Sequence, residues 1–305
     1  MKVAVFGGTG FVGSYLIDAL VAADHHPVAL VREGHEHRLN QADQRTLVSG
    51  DIADDDAIRT VLGGADAAVY NIGILREFPD QGITFDFLHD ESARRVIDAA
   101  QAAGVKRFLL MSANGVNADG TAYQKSKYNA EQYLMASGLD WTIFQPSVIF
   151  GDPRGRMEFA TQLAQDIIAS PLPAPLFFDG FLPTGAGQFT LSPVHVHNVA
   201  DAFVRSLADR AAIGRTYRLG GQEILTWQEI LTRIATVTGK RKLMLPVPAC
   251  GVSAAARLLE RFEAFPITQE QIKMLMAGNT CTVDDLVVLG IKPIDFSTDN
   301  LAYLR

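Results

Sequence analysis

Cysteine is scarce in this chain: Cys250 and Cys281 are the only two among 305 residues. A disulfide framework or a thiolate zinc site needs more, so neither is expected, and a reducing compartment is. Long apolar runs are missing as well. No run of about 18 apolar residues occurs, so no transmembrane span is expected. Basic residues are outnumbered, 27 Lys and Arg against 34 Asp and Glu, for a net charge of -7. That balance argues against a general nucleic-acid binder. No internal repeat or low-complexity tract interrupts the chain. Met1 leads straight into an apolar stretch, so no signal or transit peptide is expected, and the expected location is cytoplasmic.

What the chain has is an ordinary globular balance, 48% hydrophobic and 20% charged. It also has one organising stretch, Val3-Ala4-Val5-Phe6-Gly7-Gly8-Thr9-Gly10-Phe11-Val12-Gly13. Val3 to Phe6 reads as a buried strand. Leu16, Leu20 and Ala23 continue an apolar stripe, so a helix opens directly after the glycines. A strand that feeds a helix through glycines aims free backbone N–H groups and the positive end of the helix dipole at one point, which is a pyrophosphate site. Gly7 or Gly8 would allow the tight turn, Gly10 the close approach of backbone to ligand, and Gly13 the packing of helix on strand. Thr9, Phe11 and Val12 complete the loop.

The next segments continue this pattern. Pro27 to Val31 reads as a second strand with Arg32 and Glu33 at its end. An acid there would bind a ribose 2′-hydroxyl, whereas an Arg accommodates a 2′-phosphate. Arg32 comes first, so NADP(H) is the preferred cofactor and NAD(H) the alternative; a charge-assisted contact implies a preference of roughly ten- to a hundredfold. Thr46 to Ser49 is a third strand, followed by Gly50-Asp51-Ile52, where Asp51 can accept from the adenine amino group and Ile52 can cover the ring. Asp51 reads equally well as a turn residue. Asp54 caps a helix to Leu62. Ala67 to Asn71 is a fourth strand, and Asn71-Ile72-Gly73 lets backbone approach the cofactor. A long helix from Phe85 to Ala103 closes at Gly104. It carries His89, which reads as packing or surface.

Val105 to Met111 is the fifth strand, with Ser112 at its end. Tyr123 and Lys127 follow, four apart and so on one helix face. A free Tyr has a pKa near 10, and lowering it by about 3 units takes roughly 4 kcal/mol. One ammonium about 4 Å away supplies a term of that order. Lys127 is therefore expected to activate Tyr123, with Ser112 holding the substrate oxygen.

Together Gly7-Gly8-Thr9-Gly10-Phe11-Val12-Gly13, Gly50-Asp51, Asn71, Ser112 and Tyr123-Gln124-Lys125-Ser126-Lys127 resemble the short-chain dehydrogenase/reductase superfamily, in its extended or atypical branch. The resemblance continues through Glu131, Trp141-Thr142-Ile143, Pro146-Ser147-Val148-Ile149-Phe150-Gly151 and Pro193-Val194-His195-Val196, and weakens beyond Gly221. Those segments are similar to the NAD(P)H-binding group that includes the reductase-like accessory subunit of respiratory complex I. The resemblance implies that Ser112, Tyr123 and Lys127 are catalytic, that Tyr123 passes a proton, and that Lys127 holds the nicotinamide ribose. It also places Pro146 at the cofactor. Gln145 stands where much of this group has Arg. The loop after Ser112 is shorter than in sugar-nucleotide epimerases.

The expected architecture is α/β, a Rossmann-type doubly wound parallel sheet with a smaller discontinuous C-terminal lobe. Residues 1–151, with returning segments at about 192–221, form the nucleotide domain. Residues 152–191 and 222–305 form the closing lobe. In the lobe, Arg156 to Ala169 reads as a helix, Ser170 to Pro175 as a break, and Leu176 to Leu182 as an apolar run. Helices are expected from Thr226, from about Val252 to Phe262 and from Thr268 to Met276, with a packing segment from Val283 to Leu289. His195 and His197 share a strand face without an acidic or cysteine partner, so no metal site is expected. Lys240-Arg241-Lys242 reads as a solvated turn beside a core strand, with peripheral contact to the inner face of a membrane as the alternative. The expected function is an NADP(H)-dependent oxidoreductase acting on an apolar carbonyl, alcohol or quinone-like molecule. Two alternatives stand beside it: an NADPH-binding structural or sensing subunit without turnover, and an NAD-dependent sugar-nucleotide epimerase or dehydratase.

Overall fold

The computed structural model of the chain describes residues 1–39, 44–180, 182–250, 269–281 and 285–305. In chain order the strands are β1 Lys2–Phe6, β2 His26–Val31, β3 Thr46–Ser49, β4 Ala67–Tyr70, β5 Arg107–Met111, β6 Asp140–Pro146, β7 Ile149–Phe150, β8 Ala174–Phe178, β9 Thr190–Leu191, β10 Val194–His195, β11 Arg215–Leu219, β12 Leu225–Thr226 and β13 Met244–Pro248. The helices used below are α1 Phe11–Ala22, α2 Asp55–Leu62, α3 Ser92–Ala102, α4 Ala122–Ala136, α5 Phe159–Leu163, α6 Val196–Ala208 and α7 Trp227–Val237. They fall into two compact units. One comprises Met1–Pro146, Val196–Leu219 and Asp285–Lys292, the other Ser147–His195, Gly220–Asp284 and Pro293–Arg305.

The first unit is built on a seven-stranded parallel sheet, counted among the described residues, in the order β11-β6-β5-β4-β1-β2-β3. Parallel strands are joined by helical crossovers, so both sheet faces are covered and the strands are apolar on both sides. Val3, Ala4, Val5 and Phe6 are all 0% exposed. One face packs Phe6, Tyr70, Phe108 and Leu110 against Ile58, Val61, Val96, Ile97 and Leu134. On α1, Leu16 and Leu20 are buried, whereas Ala23, expected on the same stripe, is exposed because the helix ends at Ala22. The order of strands reverses between β1 and β4. Ligands of open α/β sheets bind at such a point, beyond the carboxyl ends of the strands.

Three helices start as their sequences require. Asp54 caps α2 by accepting from Asp56 and Ala57. Thr121 with Gln124, and Thr226 with Glu229, form capping boxes on α4 and α7. The expected helix from Phe85 instead runs as a π-helical turn over Asp86–Glu91 before α3. π-Turns of this kind widen a helix locally and cluster at functional sites.

The second unit packs Phe150, Phe177, Trp227, Ile230 and Phe296. Its helix from Phe159 passes into a π-turn at Ala164–Ile168. The proline-rich segment does not break structure throughout, since β8 starts at Ala174 and pairs with β13. Pro175 lacks an N–H, but its carbonyl accepts from Trp227 Nε1 at 2.9 Å. β13 is not a core strand: Leu243 beside it is 64% exposed and Leu245 within it 44%. Phe177 and Phe178 are buried, and Leu182 is exposed. Phe181, the expected helix from Val252 to Phe262, Thr268 and Val283 lie outside the described residues. The described parts of the last two segments are the helices Gln269–Met276 and Asp285–Val288. Among the described residues no helix is long and apolar enough to cross a membrane.

Candidate functional site

The glycine turn is set by close packing of backbone on backbone. Gly7 has φ of +94°, and a Cβ there would lie 2.8 Å from the carbonyl group of Asn71. Gly10 N–H donates to Gly7 O at 3.3 Å, and Ser14 N–H to Gly10 O at 3.0 Å, which starts α1. A Cβ on Gly13 would lie 2.1 Å from Gly7 O, so only glycine lets the first turn of α1 rest on the end of β1. Gly10 caps α1 without a side-chain hydrogen bond, and the first turn carries no acidic residue. No carboxylate within that turn offsets the positive end of the helix. Thr9, Phe11 and Val12 are each half-buried on this turn.

Arg32 follows β2 directly and is exposed, as is Glu33. Asp51 is exposed after β3. Its Oδ1 accepts from Ala53 N–H at 3.0 Å, so the turn reading applies to this side chain. Ile52 is 6% exposed and packs in the core. Asn71 N–H donates to Phe6 O at 2.8 Å, and Asn71 Nδ2 to Gly7 O at 3.4 Å, which joins β4 to the glycine turn. Pro146 ends β6, and its carbonyl accepts from Asn114 N–H at 2.9 Å.

Ser112, Tyr123 and Lys127 come together at the carboxyl ends of β4 and β5. Lys127 is 5% exposed. Its Nζ donates to Met111 O at 3.1 Å and to Ile72 O at 3.4 Å, bridging the two strand ends. A Cβ on Gly73 would lie 3.3 Å from that Nζ, so Gly73 leaves the ammonium uncovered on one side. Ser112 N–H donates to Phe144 O at 2.8 Å, and its buried Oγ has no well-formed hydrogen bond. Tyr123 is half-buried, edge-on to Phe85 and His89, with ring centroids 5.6 and 5.2 Å away.

The electrostatics correct one expectation. Burial pushes the Tyr123 hydroxyl up to about 12, rather than an ammonium drawing it down. The Lys127 ammonium donates to two backbone carbonyls, and burial is the cause that acts on the phenol. Burial also holds Lys127 down at about 8, against the attraction of Glu131.

Two residues of the site carried little signal in the sequence. His89 is 2% exposed and lies inside the site, not on the surface. Its Nε2 accepts from Ile74 N–H at 3.0 Å, and its Nδ1 meets Ser126 Oγ at 3.1 Å. Ser126 Oγ in turn donates to Tyr123 O at 3.0 Å. That chain places the ring proton on Nδ1 and keeps the imidazole neutral, its pKa pushed down to about 2 by burial and by Lys127. A lone His on a helix has no pattern that announces this. The second residue, Glu131, is 3% exposed and accepts from Gln145 Nε2 at 2.8 Å. Its spacing of four from Lys127 was the available signal.

The two histidines expected on one strand face separate. His195 ends β10 and packs on Phe150, while His197 lies in α6 and packs on Tyr15, so they share no strand face. Among the described residues no cluster of three metal-ligating side chains occurs.

The chain is similar to known proteins over most of its length. The chain is 28% identical over 295 residues to the mitochondrial "NADH dehydrogenase [ubiquinone] 1 alpha subcomplex subunit 9" of Arabidopsis thaliana, covering 93% of this chain and 70% of that protein. It is 26% identical over 273 residues to the "Ceramide reductase" of Caulobacter vibrioides, covering 87% of this chain and 80% of that one. The solved structure "MoeE5 in complex with UDP-glucose and NAD" shares the fold with a TM-score of 0.73 at 18% identity, covering 100% of this chain and 97% of that chain. A family model described as NAD(P)H-binding matches residues 7–167, more than half of the chain. The protein is thus a member of the NAD(P)H-binding family, within the short-chain dehydrogenase/reductase superfamily.

Proposed function

We propose that the chain is an NADP(H)-dependent oxidoreductase acting on a carbonyl, alcohol or quinone-like group of an apolar small molecule. The observation that carries this reading is the glycine turn, at the point where the strand order reverses between β1 and β4, in the same unit as Ser112, Tyr123 and Lys127. The turn fits a dinucleotide because α1 starts at Gly10 with no side-chain cap and no acidic residue in its first turn, which suits its N–H groups to a phosphate. NADP(H), when bound, supplies or takes up the hydride.

The chain's own residues then bind, orient and handle the proton. Gly7, Thr9, Gly10, Phe11, Val12 and Gly13 hold the pyrophosphate at the start of α1. Arg32 meets the 2′-phosphate. Asp51 and Ile52 flank the adenine, and Asn71, Gly73 and Pro146 border the cofactor at the ends of β4 and β6. Lys127 holds the nicotinamide ribose, and Ser112 holds the substrate oxygen. Tyr123 exchanges the proton. A phenol pushed up to about 12 is protonated at neutral pH, which suits it to donate to a carbonyl being reduced. The relative named a ceramide reductase supports an apolar substrate. Residues 152–191 and 222–305 are the proposed substrate lobe.

The test is loss of NADPH absorbance by the purified protein with a small-molecule and lipid extract of its own cells, beside Tyr123→Phe and with NADH as control. Turnover that needs NADPH and Tyr123 is expected. Turnover unchanged in Tyr123→Phe overturns the role of that residue.

A second reading is an NADPH-holding structural or sensing subunit without turnover. The engagement of the Lys127 ammonium by two backbone carbonyls favours it, as does the likeness to the mitochondrial complex subunit. Bound NADPH with no substrate-dependent loss is its signature.

A further inference from the structure

Tyr123, Lys127 and Glu131 recur at intervals of four along α4 and form one stripe down a single face. The first two have assigned roles. Glu131 has none, yet it is 3% exposed. A carboxylate at that depth is costly unless hydrogen bonds or charge compensate it. Burial pushes the Glu131 carboxyl up from the usual carboxylate range, and three groups that face it offset part of that. From β6, Gln145 Nε2 donates at 2.8 Å. From the end of β5 comes the buried Ser112 hydroxyl, which has no well-formed bond and which eases ionisation of the carboxylate. From one turn back on α4, Lys127 attracts it.

The surroundings of Lys127 are equally specific. The ends of β4 and β5 bring the carbonyls of Ile72 and Met111. The π-turn before α3 brings His89, which is neutral. On α4 itself, Tyr123 is uncharged at neutral pH and Glu131 is the attracting charge. An ammonium has three N–H donors and a neutral amine two. Two are engaged by the carbonyls, so only the charged form keeps one for a ligand hydroxyl.

We propose that Glu131 is a positioning residue whose buried carboxylate keeps Lys127 an ammonium, so that one N–H stays available for a ribose hydroxyl of the nucleotide. The proposal rests on the reading that Lys127 holds the nucleotide. Burial alone favours the neutral amine, and Glu131 offsets it. Gln145, where an Arg was expected, fits this role. A neutral amide satisfies one carboxylate oxygen without competing with Lys127 for its charge.

The test is Glu131→Gln, which keeps the shape and removes the charge, with Glu131→Asp as the conservative variant. NADPH affinity is measured by titration calorimetry at about pH 6 and about pH 8.5, and the Lys127 side chain is titrated by NMR on lysine-labelled protein. The Lys127 midpoint is expected to fall by about one unit in Glu131→Gln, which corresponds to roughly tenfold less ammonium above it. NADPH binding then weakens about tenfold relative to wild type at the higher pH and by less than about threefold at the lower. Glu131→Asp is expected to restore most of this difference. An unmoved midpoint, or the same loss at both pH values, overturns the proposal. A shifted midpoint with unchanged NADPH affinity at both pH values upholds the coupling and overturns instead the assignment of Lys127 to the nucleotide. Should Glu131→Gln fail to fold, Glu131→Met removes the charge while filling much of the same volume and is expected to give the same pH-dependent weakening; a uniform loss overturns the proposal.

Discussion

Gly13 rests on the carbonyl of Gly7 so closely that a Cβ on Gly13 would lie 2.1 Å from that oxygen. Nothing flexible stands there to yield, because the atoms on both sides are backbone. The contact joins the first turn of α1 to the end of β1 and sets where the helix N–H groups point.

Gly13→Ala is therefore expected to lower stability by about 2–4 kcal/mol, since the overlap exceeds that of ordinary overpacking. It is also expected to weaken NADPH binding more than tenfold, which reads as about 1.4 kcal/mol or more. Denaturant unfolding and calorimetry with NADPH check both. A variant of wild-type stability that binds NADPH normally would show that the turn relaxes at little cost.

Arg32 is exposed just past β2, so its replacement leaves packing untouched. Arg32→Glu is expected to reduce NADPH affinity by roughly ten- to a hundredfold while NADH affinity changes little. Stability should stay within about 0.5 kcal/mol of wild type. Equal losses for both nucleotides would remove the 2′-phosphate from Arg32.

His89 is neutral in the folded chain, pushed down to about 2 by burial and then by Lys127, against about 6.5 when unfolded. Between those values the unfolded chain binds the extra proton. Stability is thus full above about pH 6.5 and falls as pH drops below it, by up to about 1.4 kcal/mol per pH unit. In His89→Gln this part of the slope disappears, although loss of the ring packing lowers stability at neutral pH. Urea midpoints at about pH 7 and pH 5 for both proteins decide the matter. An equal drop in the two would exclude His89 as its source.

Arg107 begins β5 and is 7% exposed. Its guanidinium donates to Asp140 O at 2.7 Å, to Thr142 Oγ1 at 2.7 Å and to Ser206 O at 2.6 Å, tying β5, β6 and α6 together. Arg107→Met leaves several buried acceptors without a donor, at about 1–3 kcal/mol each, so a loss of roughly 3–5 kcal/mol is expected. Arg107→Lys should recover little, because one ammonium cannot span that fork. Thermal unfolding of the two variants is the measurement.

Much of the first unit was legible as pattern. Val3 to Phe6 is apolar without alternation because a central parallel strand is buried on both faces. Asp54 and Thr226 announced their helices because capping is a local hydrogen bond between residues two or three apart. The second unit is less legible. Pro175 has the sequence character of a breaker, yet as an acceptor it sits in β8 beside Trp227.

The site divides in the same way. The spacing of Tyr123, Lys127 and Glu131 places them on one helix face, since i and i+4 neighbours follow from helix geometry alone. Local order of residues therefore determined the glycine turn, the caps and that stripe. The direction of the Lys127 ammonium depends on carbonyls 16 and 55 residues away in the chain. The neutrality of His89 depends on an N–H 15 residues away and a hydroxyl 37 residues away. Those partners, and the burial that pushes Tyr123 up and Lys127 down, were decided by tertiary structure, because desolvation and long-range contact exist only once the strands and helices have packed.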